Sequence, residues 1–232
     1  MGERALSRQG KNGLIIAIDG PAGVGKSTVA RLLALRLGYL YLDTGALYRA
    51  VAWKVLDAGL RPEEGDAITA LLPHTTLRME CGPEQVHVFV DGRDITEELR
   101  TPDVTALASI VSAISTVREW LLPVQRQIGA AGSVVAEGRD IGTKVFPAAD
   151  VKFFLEADAE IRATRRYREL VAEGHGVQFD QTKRDLTGRD DRDRSRPVAP
   201  LIPAPDAERL DTSSMPAEAV VEHMMAVITA KL

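Results

Sequence analysis

Apolar residues in this sequence fall into short continuous runs that alternate with longer helical patterns. The run LIIAID, residues 14–19, is apolar up to its last residue and ends in a glycine-rich turn, which is typical of a strand buried on both faces of a parallel sheet. The segment after the turn, STVARLLALRLG, carries apolar residues at helical spacing and ends at Gly38, a residue type that commonly ends helices. Together they predict the start of a β–α–β crossover.

The same alternation continues along the chain and predicts an α/β fold with a central parallel five-stranded sheet. The predicted strands after the first are YLYL (39–42), SVVAE (133–137), VKFFLEA (151–157) and a short one at about 208–211. The predicted helices cover 44–58, then 158–173 with Asp158 as the N-cap, and a final stretch with Pro216 in its first turn.

One segment breaks this alternation and predicts a small inserted lobe. TTLRMECGPEQVHVFVDGRDI, residues 75–95, alternates apolar and polar residues and contains a Gly-Pro and an Asp-Gly turn, a pattern typical of antiparallel strands. Helices over about 102–130 then lead back to the sheet. We therefore expect an insert over about 61–130 in one domain, 14–232, whose core consists of 14–60, 131–175 and 198–232. Residues 1–13 are expected to form a flexible extension.

Composition and charge narrow the classes of protein to which this chain can belong. Its 232 residues are 45% hydrophobic, and its net charge of −4 disfavours a dedicated nucleic-acid binder, which usually carries excess positive charge. The lone Cys81 excludes an internal disulfide, which is consistent with a reducing cytosol. Apolar runs stay short of the ~20 residues of a membrane span, and the first residues lack the apolar core of a secretory signal. We expect a cytoplasmic protein with no membrane partner.

The turn after the first strand carries the strongest chemical signal. GPAGVGKST matches G-x-x-x-x-G-K-[ST] in full and lies between a predicted buried strand and a helix, which is the context that this phosphate-binding loop (P-loop) requires. Its backbone N–H groups and the helix N-terminus favour a polyphosphate. Lys26 is expected to reach the β- and γ-phosphates of ATP, and the Ser27 hydroxyl to bind Mg²⁺. The predicted nucleotide-binding residues are Gly20, Pro21, Ala22, Gly23, Val24, Gly25, Lys26, Ser27 and Thr28.

Other motifs limit the class of P-loop protein. A GTPase would need a guanine-reading N-K-x-D, which is absent from the sequence. The D-L-T-G at 185–188 follows a charged helical stretch rather than a buried strand, so it is not interpreted as a switch motif. A motor-type ATPase usually needs a longer chain. The size fits a small nucleoside-monophosphate kinase, in which the core, an acceptor-binding lobe and a lid share one chain.

Three further segments make the resemblance specific. DTGALYR (43–49), EGRDIGTKVFP (137–147) and RDDRDRSRPVAPL (189–201) resemble the signature segments of the bacterial cytidylate kinase family in order and spacing. The similarity covers nearly everything from Leu14 onward. It implies the three-layer fold of P-loop NTPases, with the β lobe binding the acceptor and a helical, arginine-rich lid over about 176–197. It also implies transfer of the γ-phosphoryl group of ATP to CMP or dCMP.

The chemistry of such a transfer explains why arginines would gather in the site. The attacking oxygen belongs to a phosphate that is already anionic near neutral pH, so the protein needs no general base and must position and neutralise two polyanions. Arginine suits this task because it stays protonated and binds phosphate through a planar fork. The residues predicted to act in catalysis are Lys26, Arg49, Arg139, Arg192 and Arg196.

The resemblance also assigns the acceptor and metal contacts. It implies that Ser109, Arg118 and Asp140 read cytosine, and that Arg189 and Asp193 face the ribose. The full set of predicted substrate-binding residues is Thr44, Arg49, Ser109, Arg118, Arg139, Asp140, Arg189, Asp193 and Arg196. Predicted metal contacts are Ser27 directly, and Asp43 and Glu137 through water. Two alternatives stay open: Glu137 as a strand-end carboxylate bonded to the loop, and Asp43 as a helix cap.

Two other hypotheses for function stay open, one of which concerns the charge run TGRDDRDRSRP, residues 187–197. One is a P-loop kinase for a different small acceptor, such as UMP or shikimate. The other is a nucleic-acid-binding protein that uses 183–196 as an RNA-contacting arm. That stretch carries six basic and four acidic residues and no aromatic residue, so it offers little net charge and no base-stacking surface. We therefore expect small-molecule partners only, ATP and CMP or dCMP, bound by a monomer, and interpret the run as a catalytic lid rather than a solvated face.

Overall fold

The computed structural model of the protein describes residues 13–81 and 86–231. Its strands are β1 (Ile15–Asp19), β2 (Leu40–Asp43), β3 (Leu77–Cys81), β4 (Val86–Val90), β5 (Arg93–Asp94), β6 (Val134–Gly138), β7 (Val151–Glu156) and β8 (Glu208–Asp211). Its α-helices are α1 (Lys26–Leu37), α2 (Thr44–Asp57), α3 (Gly65–Leu71), α4 (Pro102–Val111), α5 (Ser115–Gly129), α6 (Ala159–Ala172), α7 (Phe179–Ser195) and α8 (Ala217–Lys231). The predicted Gly-Pro turn at 82–83 and residues 1–12 of the predicted extension lie outside the described residues.

The central sheet has five parallel strands in the order β2-β6-β1-β7-β8, which confirms the predicted fold class. Side chains of β1 alternate between two hydrophobic clusters. Ile16 and Ile18 pack with residues of α1 and α8 on one face, whereas Ala17 packs with Leu42 and Ile141 on the other. This burial on both faces explains the continuous apolar runs of the strands. It also produces three layers.

The helix ends agree closely with the sequence, with one correction. Helix α1 ends at Gly38, and the Asp158 carboxylate caps α6 by accepting from the N–H of Glu160 at 2.8 Å. Helix α8 begins at Ala217, so the prediction that Pro216 lies in its first turn was wrong by one residue. The proline directly precedes the helix and its carbonyl accepts from the N–H of Val220, which closes the first helical turn.

The inserted segment forms the expected antiparallel sheet, in the order β3-β4-β5. The predicted Asp-Gly turn joins β4 to β5. Val88 and Val90 of β4 pack against Ala46 and Ala50 of α2, so the small sheet rests on the helix that follows the second core strand. Helix α3 lies in the same insert and was not predicted, because its seven residues are too few to show helical periodicity.

Helices α4 and α5 of the insert resemble a membrane span only in their combined length and composition. No single helix in the described ranges is long and apolar enough to cross a membrane. Helices α4 and α5 together reach the required length and composition, but they meet at a bend of 101°.

We predict that Gly20→Ala destabilises the protein more than Gly59→Ala. Both glycines have positive φ, 152° and 68°, so alanine is strained at either position. A Cβ at Gly20 would in addition collide with the carbonyl oxygen of Leu155 on β7, whereas one at Gly59 meets nothing within 4 Å. We expect Gly59→Ala to lower the free energy of unfolding by about 1–2 kcal/mol and Gly20→Ala by at least twice that. Urea denaturation measures both. Equal losses would show that the collision is relieved.

Candidate functional site

The P-loop lies where β1 ends and α1 begins, as the motif predicted. Lys26 is the first residue of α1, and its buried Nζ donates to the carbonyl oxygen of Pro21 at 2.7 Å. Burial, and after it the neighbouring Arg139 guanidinium, lower the pKa of Lys26 to about 7. A polyphosphate beside the ammonium would favour its charged form. The loop, the helix N-terminus and Lys26 together make an anion site.

Two carboxylates lie side by side at the carboxyl ends of neighbouring strands. Asp43 of β2 and Glu137 of β6 are partners in the parallel register. Glu137 is buried and accepts from the Tyr41 hydroxyl at 2.5 Å. Burial and the Asp43 charge both raise the pKa of Glu137, while Lys26 and the nearby Ser27 hydroxyl lower it. This carboxylate is therefore held in a fixed orientation beside the P-loop.

Asp43 also stabilises the helix that follows it. Its Oδ1 accepts from the N–H of Ala46 at 3.1 Å, which is the helix cap that the sequence left as an alternative. Its Oδ2 accepts from Arg49 Nη2 at 2.6 Å, and the Thr44 hydroxyl donates to the Glu137 carbonyl at 2.7 Å. These contacts fix the start of α2 and the Arg49 side chain at the edge of the sheet.

The oxygen donors Ser27, Asp43 and Glu137 fit a hard cation that keeps most of its water. Among the described residues, no group of three or more histidine, cysteine, aspartate or glutamate side chains could hold a metal by itself. Mg²⁺ commonly binds one or two carboxylates and otherwise relies on water and substrate phosphates. A hydroxyl and two carboxylates beside a P-loop match that chemistry.

A buried ion pair joins α5 to the segment after β6. Arg118 Nη2 pairs with Asp140 Oδ2, and Arg118 Nη1 donates to the carbonyl oxygen of Ser112 at 3.0 Å. The guanidinium also lies 5.2 Å from the centre of the Tyr48 ring. The side chains of Arg118 and Asp140 are only 5% and 6% exposed, so their donor and acceptor atoms have fixed directions and little competition from water.

Helix α7 extends this network with alternating charges. Arg196, which follows the helix, lies 3.4 Å from Asp140 and 3.8 Å from Asp193. Arg139 Nε donates to Asp193 Oδ2 at 2.9 Å. Burial alone would raise the pKa of Asp193, but Arg139, Arg189 and Arg196 outweigh it and hold that pKa below its usual range. Asp193 is therefore a charged carboxylate at neutral pH.

Arg189 is a half-buried cation whose buried Nε donor is unpaired among the described residues. The Nε of Arg49 is in the same condition. Burial, then the neighbouring Arg139, lower the pKa of Arg189 to about 10. It still carries its charge at neutral pH. A buried donor without an acceptor is unfavourable, so this position favours an anionic or hydroxyl-bearing ligand.

Arg192 and Ser109 connect α7 to α4. The Nε and Nη2 atoms of Arg192 donate to the Ser109 hydroxyl oxygen at 3.2 and 3.1 Å. Ser109 is buried, whereas Arg192 is exposed on the cleft side of its helix. Asp191 and Arg194 on the same helix face solvent, so part of the charge run is a solvated face. The prediction that the run is a catalytic lid rather than a solvated face was wrong for these two positions.

The P-loop, the two strand-end carboxylates and the arginine network line one cleft of about 1510 Å³. The sequence-predicted residues that line it are Ala22, Gly23, Val24, Gly25, Lys26, Ser27, Thr28, Asp43, Thr44, Arg49, Ser109, Arg118, Glu137, Arg139, Asp140, Arg189, Arg192, Asp193 and Arg196. Gly20 and Pro21, the first two residues of the P-loop, do not line the cleft. The P-loop and the arginine network thus face the same space.

Comparison with known proteins identifies the family. Residues 16–230 match the cytidylate kinase family. The chain belongs to that family. It is 48% identical over 216 residues to the cytidylate kinase of Pelotomaculum thermopropionicum, covering 93% of this chain and 96% of the relative. It is 44% identical over 223 residues to that of Geobacter sulfurreducens, covering 96% of each. The resemblance drawn from the three sequence segments is confirmed.

A solved structure shares the fold at low sequence identity. An uncharacterized protein from Eubacterium ventriosum superposes with a TM-score of 0.50 at 11% identity, covering 94% of this chain and 98% of that one. At that identity the likeness concerns the fold alone.

Several residues of this cytidylate kinase family member contribute to the site without having been predicted. Asp19, at the end of β1, accepts from the N–H groups of Ile141 and Gly142 at 2.8 Å each and so holds the turn that follows Arg139 and Asp140. The only sequence signal for it is a carboxylate ending an apolar strand. The other unpredicted residues are Tyr41 and Tyr48, described above, and Arg162 and Asp190, which join α6 and α7 to the P-loop.

We predict that the two members of the buried ion pair differ in their effect on stability. Asp140→Asn leaves both Arg118 and Arg196 without this carboxylate, whereas Arg118→Met leaves Asp140 beside Arg196. We expect Asp140→Asn to lower the free energy of unfolding by about 3–5 kcal/mol, and Arg118→Met by less than half of that. Urea denaturation of both variants measures the difference. A larger loss for Arg118→Met would contradict the charge balance described here.

Proposed function

We propose that the protein transfers the γ-phosphoryl group of ATP to CMP or dCMP, giving ADP and CDP or dCDP. The observation that carries the proposal is the shared cleft: a P-loop forms one wall, and a buried network of arginines with two aspartates forms the other. Membership of the cytidylate kinase family supports the same reaction. Two phosphorylated substrates can bind head to head in such a cleft.

The donor end of the cleft suits the phosphates of ATP. Backbone N–H groups of the P-loop and the N-terminus of α1 provide positive potential, and Lys26 adds an ammonium at the first helical residue. Ser27, Asp43 and Glu137 would hold Mg²⁺, the two carboxylates through its water. When bound, that ion neutralises charge on the phosphate oxygens.

The acceptor phosphate requires fixed cations more than it requires a base. Its oxygen is already anionic, so the transfer depends on alignment and on stabilising charge that spreads over the transferred group. Arg49 and Arg139 lie at the edge of the sheet beside the P-loop, while Arg192 and Arg196 approach from α7 and the residue after it. Removal of one such cation costs on the order of 10²–10³ in rate at comparable electrostatic sites.

The buried pair Arg118 and Asp140 suits cytosine. The base donates from N4 and accepts at N3 and O2, so a carboxylate beside N4 and a guanidinium near N3 and O2 match its edge. Asp140 is held by Arg118 and Arg196 together, and Ser109 lies in the same cleft. Uracil would present an acceptor at position 4 to the Asp140 carboxylate. Arg189 and Asp193 would then face the ribose.

The proposed partners are therefore ATP with Mg²⁺ and CMP or dCMP, with neither a nucleic acid nor a membrane. The mixed charges of α7 support this, because its aspartates pair with the arginines that a nucleic-acid backbone would need. Action in the cytoplasm as a monomer stays a prediction.

A substrate panel tests the reaction. With MgATP we expect CMP and dCMP to react with a kcat/KM at least 10² higher than UMP, AMP or shikimate, because uracil lacks the N4 donor that a buried carboxylate accepts, adenine is a larger purine, and shikimate has no base. A coupled assay for ADP formation measures each rate, and Lys26→Met serves as the inactive control. Equal or faster turnover of UMP or shikimate would refute the choice of acceptor.

Asp193→Ala tests the ribose assignment. The variant loses a carboxylate that accepts from Arg139 and also neutralises Arg196. We expect kcat/KM for CMP to fall by roughly 10–100-fold while the Kd for a nonhydrolysable ATP analogue stays within about threefold. Steady-state kinetics and calorimetry give the two values, with the solvent-facing Asp191→Ala as the matched control. Unchanged kcat and KM for CMP would contradict the assignment.

A further inference from the structure

Helix α7 contacts the phosphate loop as well as the acceptor side of the cleft. Leu186 and Asp190, one helical turn apart, are both buried. Asp190 Oδ1 accepts from the backbone N–H of Ala22 at 3.1 Å. Leu186 lies against the next residue of the loop: a Cβ at Gly23 would be 3.0 Å from its Cδ1. The helix therefore rests directly on the P-loop.

Arg162 of α6 completes this contact. Its Nη1 pairs with Asp190 Oδ2 and also donates to the carbonyl oxygen of Ala22 at 2.9 Å. Its Nε donates to the carbonyl oxygen of Ala157 at 3.1 Å, which fixes the guanidinium at the end of β7. Both backbone polar groups of Ala22 are thus held, the N–H by Asp190 and the carbonyl by Arg162.

Neither side chain touches the space where the nucleotides would bind. Arg162 and Asp190 are 6% and 2% exposed and do not line the cleft, whereas Arg189, Arg192 and Asp193 on the same helix do. Asp190 is adjacent to Arg189 in the chain and less than one helical turn from Asp193. Asp190 therefore connects the loop at Ala22 to the helix that carries the groups facing the acceptor.

We propose that Asp190, held by Arg162, is a positioning residue that couples occupancy of the P-loop to the arrangement of the arginines facing the acceptor. This inference rests on the proposed function, because it concerns how the donor and acceptor sites of that reaction communicate. An ion pair that served stability alone would need no contact with the loop backbone. The pair here binds both polar groups of one P-loop residue.

The experiment measures coupling between the two sites in the full chain. Calorimetry gives the Kd for CMP with and without a nonhydrolysable ATP analogue and Mg²⁺, and the ratio of the two values is the coupling factor. For the unaltered protein we expect a factor of at least about 5, within the usual range of coupling between sites. In Asp190→Asn we expect a factor within about twofold of one, while CMP binding without the analogue changes less than about threefold. We also expect kcat to fall roughly tenfold or more, as misplaced groups do.

Control variants and a stability measurement distinguish a loss of coupling between the two sites from a loss of folded protein. Asp191→Asn removes a charge from the neighbouring, solvent-facing position of the same helix and should leave kcat and the coupling factor unchanged. Urea denaturation shows whether each variant is folded at the assay temperature. If Asp190→Asn does not fold, Arg162→Lys decides the question: it keeps the positive charge but loses the Nε bond to Ala157 that fixes the cation beside Asp190 and Ala22, so the coupling factor should again fall.

Two results would overturn the inference: a coupling factor near one in the unaltered protein, or a folded Asp190→Asn or Arg162→Lys variant that keeps the full factor. Failure of the proposed function is a different result. It is seen in the unaltered protein as an absence of CMP phosphorylation, before any variant is compared.

Discussion

The structure depends on holding several arginine side chains close together where little water is present to screen their repulsion. Four buried or half-buried arginines, Arg118, Arg139, Arg189 and Arg196, surround two carboxylates, Asp140 and Asp193. Like charges at low dielectric repel strongly, so the two aspartates are what allow the arginines to coexist. Because arginines outnumber carboxylates, the region keeps a positive excess that phosphate groups can satisfy. The same balance between arginines and carboxylates therefore determines both the stability of the fold around the cleft and the binding of anionic groups in it.

Much of the fold was predictable because it follows from local patterns. The parallel strands are apolar on both faces, and their helices end at a glycine or begin at a carboxylate cap, signals that lie within a few residues of each element. The P-loop was predictable for the same reason, since all its parts lie in nine consecutive residues between a strand and a helix. Helix α3 was missed because its seven residues are too few to show a clear helical period.

The connections within the site could not be predicted in the same way. Arg118 and Asp140 are separated by 22 positions, and Arg162 and Asp190 by 28, and each pair comes from two different elements. The sequence shows where arginines are concentrated, but the carboxylate that holds each of them depends on how the helices pack. Asp190 shows this limit clearly. It belongs to a run in which several arginines are nearer in sequence, yet its partner lies on α6 and its backbone contact on the P-loop.

The position of the charged run at 187–197, on helix α7 and the two residues after it, explains why charged residues alternate there. Thr182, Leu186, Asp190 and Asp193 recur at intervals of four, four and three residues, so they form one buried stripe along α7. Arg184, Asp191 and Arg194 lie off this stripe and are exposed. A helix with so few apolar residues gains little from hydrophobic burial, and its place therefore depends on the ion pairs along that stripe. The Asp190 pair contacts the P-loop, and the Asp193 pairs contact Arg139 and Arg196 of the arginine network. The interactions that stabilise α7 in the fold are thus the ones through which its position responds to charge in the cleft.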